Sequence, residues 1–280
     1  MALNSGTPYM YIIGGTVSPS NRSIRFDNTL FVTLADIPYF HKYNVCASLD
    51  TGIFFQTEAA TALVKFDGVS TYTVAGNFAT SAYTASARNG LVILALYISS
   101  VKSFDGTTFA TLPGMFYGTY NASASTVGLK TYIFGGDTSG TAGDESDIIQ
   151  WHDGSTSGQS TVLPYKLVSS TTSVIGSDVF IFGGNNTTEG AYASILVFNG
   201  PSQTVTATGI SLFNVLYGSC SATIGTTIFT YGGTLGFTNP SVTNTVFKFD
   251  KVTVTTVSNS LQATQKSGAT TYSSTGLSFT

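Results

Sequence analysis

Few side chains in this 280-residue chain are equipped for chemistry, and their positions limit what they could do. There are two histidines, His41 and His152, two cysteines, Cys46 and Cys220, and three glutamates, Glu58, Glu145 and Glu189. A redox copper centre built from imidazole, tyrosine and thiol wants more nitrogen ligands than that. Neither histidine falls in a metal-ligand pattern. The cysteines match no zinc spacing and cannot build a disulfide framework, so they read as small buried residues. Carboxylate recognition wants three converging arginines, whereas Arg22 and Arg25 share one hairpin and Arg88 stands apart. Glycoside hydrolysis needs two opposed carboxylates, and most aspartates sit in the turn motif described below. Acid clusters only at 137–147, in Asp137, Asp144, Glu145 and Asp147. Their spacing fits no calcium-loop template and reads as a solvated loop. With no nucleophile elbow, phosphate loop or dinucleotide fingerprint, the chain reads as a non-enzyme without cofactor or metal.

The elements that must position these residues are strands. Hydrophobic residues make up 42% and aromatic residues 13%, enough for a large core, while only 9% are charged. Thr, Val, Tyr and Phe abound and the helix formers are scarce, so the fold class is all-β. The net charge of −3 and the scattered lysines and arginines argue against a nucleic-acid partner. The longest apolar run, residues 91–98, is far shorter than the ~20 residues a bilayer span requires, which argues against membrane insertion. The first residues lack the basic and apolar regions of a signal peptide.

Three sequence elements recur at regular spacing. A turn motif appears as Phe26-Asp27-Asn28, Phe66-Asp67-Gly68, Phe104-Asp105-Gly106, His152-Asp153-Gly154, Phe198-Asn199-Gly200 and Phe249-Asp250-Lys251. Its Asp-Gly or Asn-Gly pair is expected to supply the positive-φ positions of a tight hairpin turn. Upstream lies a hydrophobic strand ending in a diglycine, at Gly14-Gly15, Gly135-Gly136, Gly183-Gly184 and Gly232-Gly233. Two repeats, around Phe54 and Leu94, keep that strand and lose the glycines. A stretch of small residues precedes each, such as Cys46-Ala47-Ser48 and Cys220-Ser221-Ala222-Thr223, as expected of strands converging on a central channel.

Six units of about 47 residues match the length of propeller repeats. The expected architecture is a six-bladed β-propeller of four-stranded antiparallel blades. The blades approximate residues 1–42 with 268–280, then 43–80, 81–117, 118–166, 167–214 and 215–267. The C-terminal strand, from Ala269, would complete the N-terminal blade and close the ring. Residues 276–280 also look like the start of a strand and compete for the same place. The diglycine strand, the aromatic-ended strand and the Ile37-Pro38, Leu112-Pro113 and Leu163-Pro164 pairs resemble the kelch repeat over essentially the whole chain. The Trp usual in its fourth strand is missing, and the one tryptophan, Trp151, lies on a third strand. The resemblance implies a propeller used mostly as a binding scaffold. A propeller sialidase is a poorer match, since an Asp-box-like stretch occurs once, at 48–55.

Such a ring would bring two loop sets to one face: second-to-third-strand loops at 16–23, 137–147, 185–194 and 234–244, and the aromatic connections between blades. Aromatics with polar tips suit a protein or sugar surface, and packing between blades is the other reading. The candidate contact residues are Tyr39, Phe40, His41, Phe116, Tyr117, Tyr165, Phe213 and Tyr217. The hydroxyl-rich, charge-poor composition suits an exposed virion, tail or adhesin component, assembled on a particle or as a homo-oligomer. Its partners would be proteins or a cell-surface receptor. A lectin and an intracellular kelch-type adaptor are the alternatives.

Overall fold

The structure, a computed structural model, describes residues 8–14, 22–34, 36–37, 45–56, 62–69, 72–77, 82–96, 99–140, 143–236, 241–257 and 268–272. Every regular element among them is a strand. Six four-stranded antiparallel sheets follow one another in a propeller-like arrangement. Sheet 1 consists of Gly268–Tyr272, Tyr9–Ile13, Ser23–Phe26 and Phe31–Thr33 in that order. Sheet 2 is Cys46–Leu49, Gly52–Gln56, Ala62–Phe66 and Tyr72–Asn77, and sheet 3 is Ala82–Arg88, Leu91–Leu96, Val101–Phe104 and Phe109–Leu112. Sheet 4 is Ser123–Val127, Lys130–Phe134, Ile148–His152 and Ser157–Val162. Sheet 5 is Thr171–Ile175, Asp178–Phe182, Ser194–Asn199 and Thr204–Ser211, and sheet 6 is Cys220–Ile224, Thr227–Tyr231, Val246–Phe249 and Val254–Val257. The strand at 268–272 pairs with the far end of the chain in register, from Tyr9↔Tyr272 to Ile13↔Gly268. Residues 276–280 lie outside the described residues.

The recurrent turn takes one positive φ where the Asp-Gly pair was expected to supply the positive-φ positions. Phe104 pairs with Phe109, leaving a four-residue loop, and only Gly106 takes a positive φ, of 101°. Asp105 acts instead through its side chain, whose Oδ1 accepts the N–H groups of Thr107 (2.8 Å) and Thr108 (2.7 Å). Asp27, Asp153 and Asp250 do the same in their own sheets. Accepting backbone N–H groups favours the ionised form. Such bonds hold Asp153 at a pKa of about 2, led by Thr156 and Ser155. The aspartate in the repeat is therefore a turn cap, and the residue after it takes the left-handed conformation.

The Phe of that motif does more than end a strand. It packs against an aromatic on the second strand of the preceding sheet: Tyr11 on Phe66 (6.2 Å between centroids), Phe54 on Phe104 (5.5 Å), Tyr132 on Phe198 (4.7 Å) and Phe180 on Phe249 (5.2 Å). Phe229 of sheet 6 meets Phe26 of sheet 1 at 4.9 Å, edge to face. The tilted and edge-on geometries are those the aromatic quadrupole prefers. Sheets 3 and 4 are the exception. There Ile93 holds the second-strand place and His152 the third-strand place, and Arg88 Nη1 donates to the His152 carbonyl at 2.7 Å.

The small-residue strands are the inner ones. One from each sheet lines a common cavity of about 330 Å³, and the described residues of its wall are Ala, Ser, Thr, Cys and Val. Small side chains let the strands approach, and their hydroxyls bond across the gaps. Ser123 Oγ meets Ser170 Oγ, Ser125 Oγ meets Thr172 Oγ1, Thr171 Oγ1 meets Ser221 Oγ and Ser86 Oγ meets Thr126 Oγ1, each at 2.9 Å.

At the other end of the second strands, the diglycine joins one sheet to the connection entering the next. Gly136 N–H donates to the Leu167 carbonyl at 2.8 Å, and Gly184 N–H to the Leu216 carbonyl at 2.7 Å. Where the glycines are missing, other groups cross the gap. The buried Gln56 Oε1 accepts Ala82 N–H at 2.8 Å, and Thr119 Oγ1 donates to the Leu96 carbonyl at 3.0 Å. The Gln56→Ala substitution leaves the Ala82 N–H without its acceptor. A loss of about 2 kcal/mol in denaturant unfolding is expected, and a change below about 0.5 kcal/mol would contradict this role for the carboxamide.

Candidate functional site

The diglycine ends of the second strands and the connections between sheets lie together, because backbone hydrogen bonds tie them. Leu167 N–H donates to the Ser146 carbonyl and Leu216 N–H to the Tyr192 carbonyl, both at 3.0 Å. Small accessory pairings reinforce the contact. Leu216–Tyr217, Thr234–Leu235 and Ser241–Val242 form a three-stranded sheet, and Val168 bridges to Asn185. The two loop sets expected on one face are thus interlaced in sheets 4 to 6.

Three connections share one construction. Met115, Leu163 and Leu212 are buried, and their N–H groups donate to the carbonyls of Ser99 (2.7 Å), Asp147 (2.7 Å) and Ala193 (2.8 Å). The next residue turns outward each time: Phe116, Pro164 and Phe213. Phe116 and Phe213 are each 61% exposed, unusual for so large an apolar side chain. Phe116 stands on a fixed backbone. The carboxamide of Gln150, buried in the third strand of sheet 4, accepts the N–H groups of Phe116 and Tyr117 through Oε1, both at 2.9 Å. Behind Phe213, the buried Phe247 lies 6.2 Å away, ring to ring.

The expected contact residues divide into three groups. Phe116, Tyr117 and Phe213 are exposed at the loop face. Tyr165 and Tyr217 are half-buried. The Tyr165 ring stacks on Tyr192 at 4.0 Å and 18°, and its hydroxyl hydrogen-bonds Ser194 Oγ, so it joins sheet 4 to the loop of sheet 5. Tyr217 sits opposite Thr234 in the accessory sheet. Tyr39, Phe40 and His41 lie outside the described residues. Gln150 and Tyr192 had no signature in the sequence. Tyr192 OH donates to Glu189 Oε2 (2.5 Å) and accepts from Asn186 Nδ2 (2.6 Å). Burial, then the neighbouring Glu189 carboxylate, pushes its phenol well above the usual range.

The acidic loop is occupied with its own backbone. Asp137 Oδ1 accepts the N–H groups of Ser139 (3.1 Å) and Gly140 (2.9 Å), and Ser139 Oγ donates to Asp144. Glu145 Oε1 accepts Thr187 N–H at 3.2 Å, reaching into the loop of sheet 5. Burial would raise the Glu145 pKa, but bonds from Thr187 and Gly143 outweigh it and hold the carboxyl below its usual value. Among the described residues, no three His, Cys, Asp or Glu side chains stand close enough to hold a metal ion. Among the described residues that line the cavity, Ser and Thr hydroxyls bond to one another and to backbone carbonyls, and no side chain is charged. No family model matches this chain, and no curated protein matches it in sequence.

Proposed function

We propose that the six sheets are the blades of one closed, kelch-like propeller. The protein is then a non-enzymatic binding module, an exterior component of a virion, tail or adhesin that engages a partner protein or receptor through its loop face. The observation that carries the binding reading is the pair Phe116 and Phe213. They occupy equivalent places two connections apart, each exposed on a segment whose preceding residue is buried and hydrogen-bonded. Rigid, exposed aromatic rings give contact area at small entropic cost, as binding hot spots do. Closure is supported by the inner strands, which touch in the succession sheet 1, 2, 3, 4, 5, 6 and back to 1. The diglycine joints and the Phe-centred contacts between sheets support the kelch-like assignment. The charge-poor surface suits an exposed assembly.

The test places a photo-crosslinking phenylalanine analogue at 116 or 213, and as a control at Leu129, exposed in a turn at the opposite ends of the strands. Adducts with one partner species at 116 and 213, and none at 129, are expected from native particles or cells. Adducts confined to 129 would reverse the contact face. Against that partner, Phe116→Ala and Phe213→Ala should each weaken binding by about 2 kcal/mol, roughly thirtyfold, with unfolding midpoints unchanged. A glycan array separates the lectin reading, which the exposed rings also permit: sugar binding lost in both variants would favour it, and a blank array would remove it.

A further inference from the structure

Two Asn-Gly dipeptides occur in the chain, Asn89-Gly90 and Asn199-Gly200, and the fold treats them oppositely. Asn89 and Gly90 are the two exposed residues of the turn between the first and second strands of sheet 3, closed by the pairing of Arg88 with Leu91. Both take a positive φ, 49° and 74°, as short hairpins prefer. The peptide plane that joins them lies outside the hairpin ladder. Among the described residues, neither the Gly90 N–H nor the Asn89 carboxamide has a hydrogen-bond partner. A Cβ at Gly90 would meet nothing within 4 Å, so the space around the turn is open.

Asn199-Gly200 is tied down on both sides. Asn199 Nδ2 donates to Asp178 Oδ1 at 2.8 Å, and its Oδ1 accepts Ser202 N–H at 3.1 Å and Ser202 Oγ–H at 2.9 Å. Gly200 is buried, and its N–H donates to the Ser177 carbonyl at 2.9 Å. A Cβ there would lie 2.7 Å from Val127 Cγ1, so the peptide has little room to turn.

The reaction open to such a pair is attack of the glycine nitrogen, unshielded by any Cβ, on the side-chain carbonyl carbon. The N–Cγ bond forms and the Cγ–Nδ2 bond breaks. Nδ2 leaves as ammonia, carrying the proton that the glycine nitrogen gives up. The cyclic imide then takes up water at either carbonyl and opens to aspartate or to isoaspartate, whose main chain runs through Cβ. Approach requires the Asn-Gly peptide plane to rotate, which a glycine in second place permits.

We propose that Asn89 is a site of spontaneous deamidation in the folded protein, and that the bonds around Asn199 protect it from the same reaction. The aspartate product puts a negative charge next in sequence to Arg88, which is buried and donates to the His152 carbonyl of sheet 4 at 2.7 Å. Isoaspartate adds one atom to the main chain of a two-residue turn, which disturbs the closure of Arg88 on Leu91. The turn lies at the same end of the strands as Leu129, away from Phe116, so the inference stands whether or not the loop face binds a partner.

The folded protein is aged at mildly alkaline pH, where the glycine nitrogen gives up its proton more readily. Peptides spanning 89 and 199 are followed by mass spectrometry, and isoaspartate is identified with its methyltransferase. The one-dalton gain should accumulate at Asn89 at least about thirtyfold faster than at Asn199, where several hydrogen bonds must first open. In guanidinium chloride the two rates should converge, since those bonds are gone. Equal rates in the folded protein overturn the proposal, as does an unreacted Asn89 over a period in which the denatured chain reacts there. A difference that persists unchanged in denaturant also overturns it, because neighbouring sequence would then be the cause.

Discussion

Replacing Gly183 with Val is expected to remove about 4 kcal/mol or more of stability. Two costs combine at this position. The backbone has φ of 58°, a left-handed conformation that a β-branched residue adopts only under strain of about 1–3 kcal/mol. A Cβ there would also overlap the Leu216 carbonyl oxygen, the acceptor of the Gly184 N–H. Relieving the overlap means moving the connection into sheet 6, at a further 1–3 kcal/mol or so. Gly176 provides the control: its φ is 68°, but a Cβ there meets nothing within 4 Å. Gly176→Ala should therefore cost only about 1 kcal/mol, the conformational part alone. Urea unfolding of both variants separates the effects. If the two losses were alike, the close approach between sheets 5 and 6 would have no energetic weight.

The second large effect concerns the contact between sheets 6 and 1. Phe26 and Phe229 are fully buried and meet edge to face at 4.9 Å. Truncating either to Ala should cost about 3–5 kcal/mol through lost burial and the cavity left behind. That loss alone says little about architecture, since any buried Phe gives it; the coupling does. A double-mutant cycle should return about 1 kcal/mol between them, the size expected of an aromatic pair in contact. The same cycle on Phe54 and Phe104 supplies the reference for adjacent sheets early in the chain. A coupling near zero for Phe26 and Phe229, beside a normal one for Phe54 and Phe104, would separate sheet 6 from sheet 1 and leave the ring open.

These two expectations draw on features that were legible to different depths. Repetition exposed the turn motif, the diglycine strand and the small-residue strand, because each solves a local steric problem with the same residue types every time. The work of Phe198 or Phe249 was not legible, since it depends on the aromatic facing it from the preceding sheet. Gln56 and Thr119 were hidden for a related reason. Once a side-chain amide or hydroxyl takes over a bond otherwise made by a glycine peptide, the motif disappears while the joint survives. Among the aromatic connections, composition could not separate Phe116, which faces solvent, from Tyr165, which stacks on Tyr192. That division rests on where a buried neighbour anchors the backbone, which no periodicity records. The turn was misread at its Asp, which tolerates a positive φ but here caps the loop through its side chain.

Pairing of 268–272 with Tyr9–Ile13 has a consequence for biosynthesis. Sheet 1 lacks a strand until residue 272 has left the ribosome, so while residues 14–267 are being made one side of Tyr9–Ile13 presents unpaired backbone N–H and C=O groups. On a crowded polysome the equivalent strand of a neighbouring nascent chain can fill that vacancy, giving exchanged dimers in place of monomers. Yield of correctly assembled protein should then depend on how far apart the ribosomes are spaced.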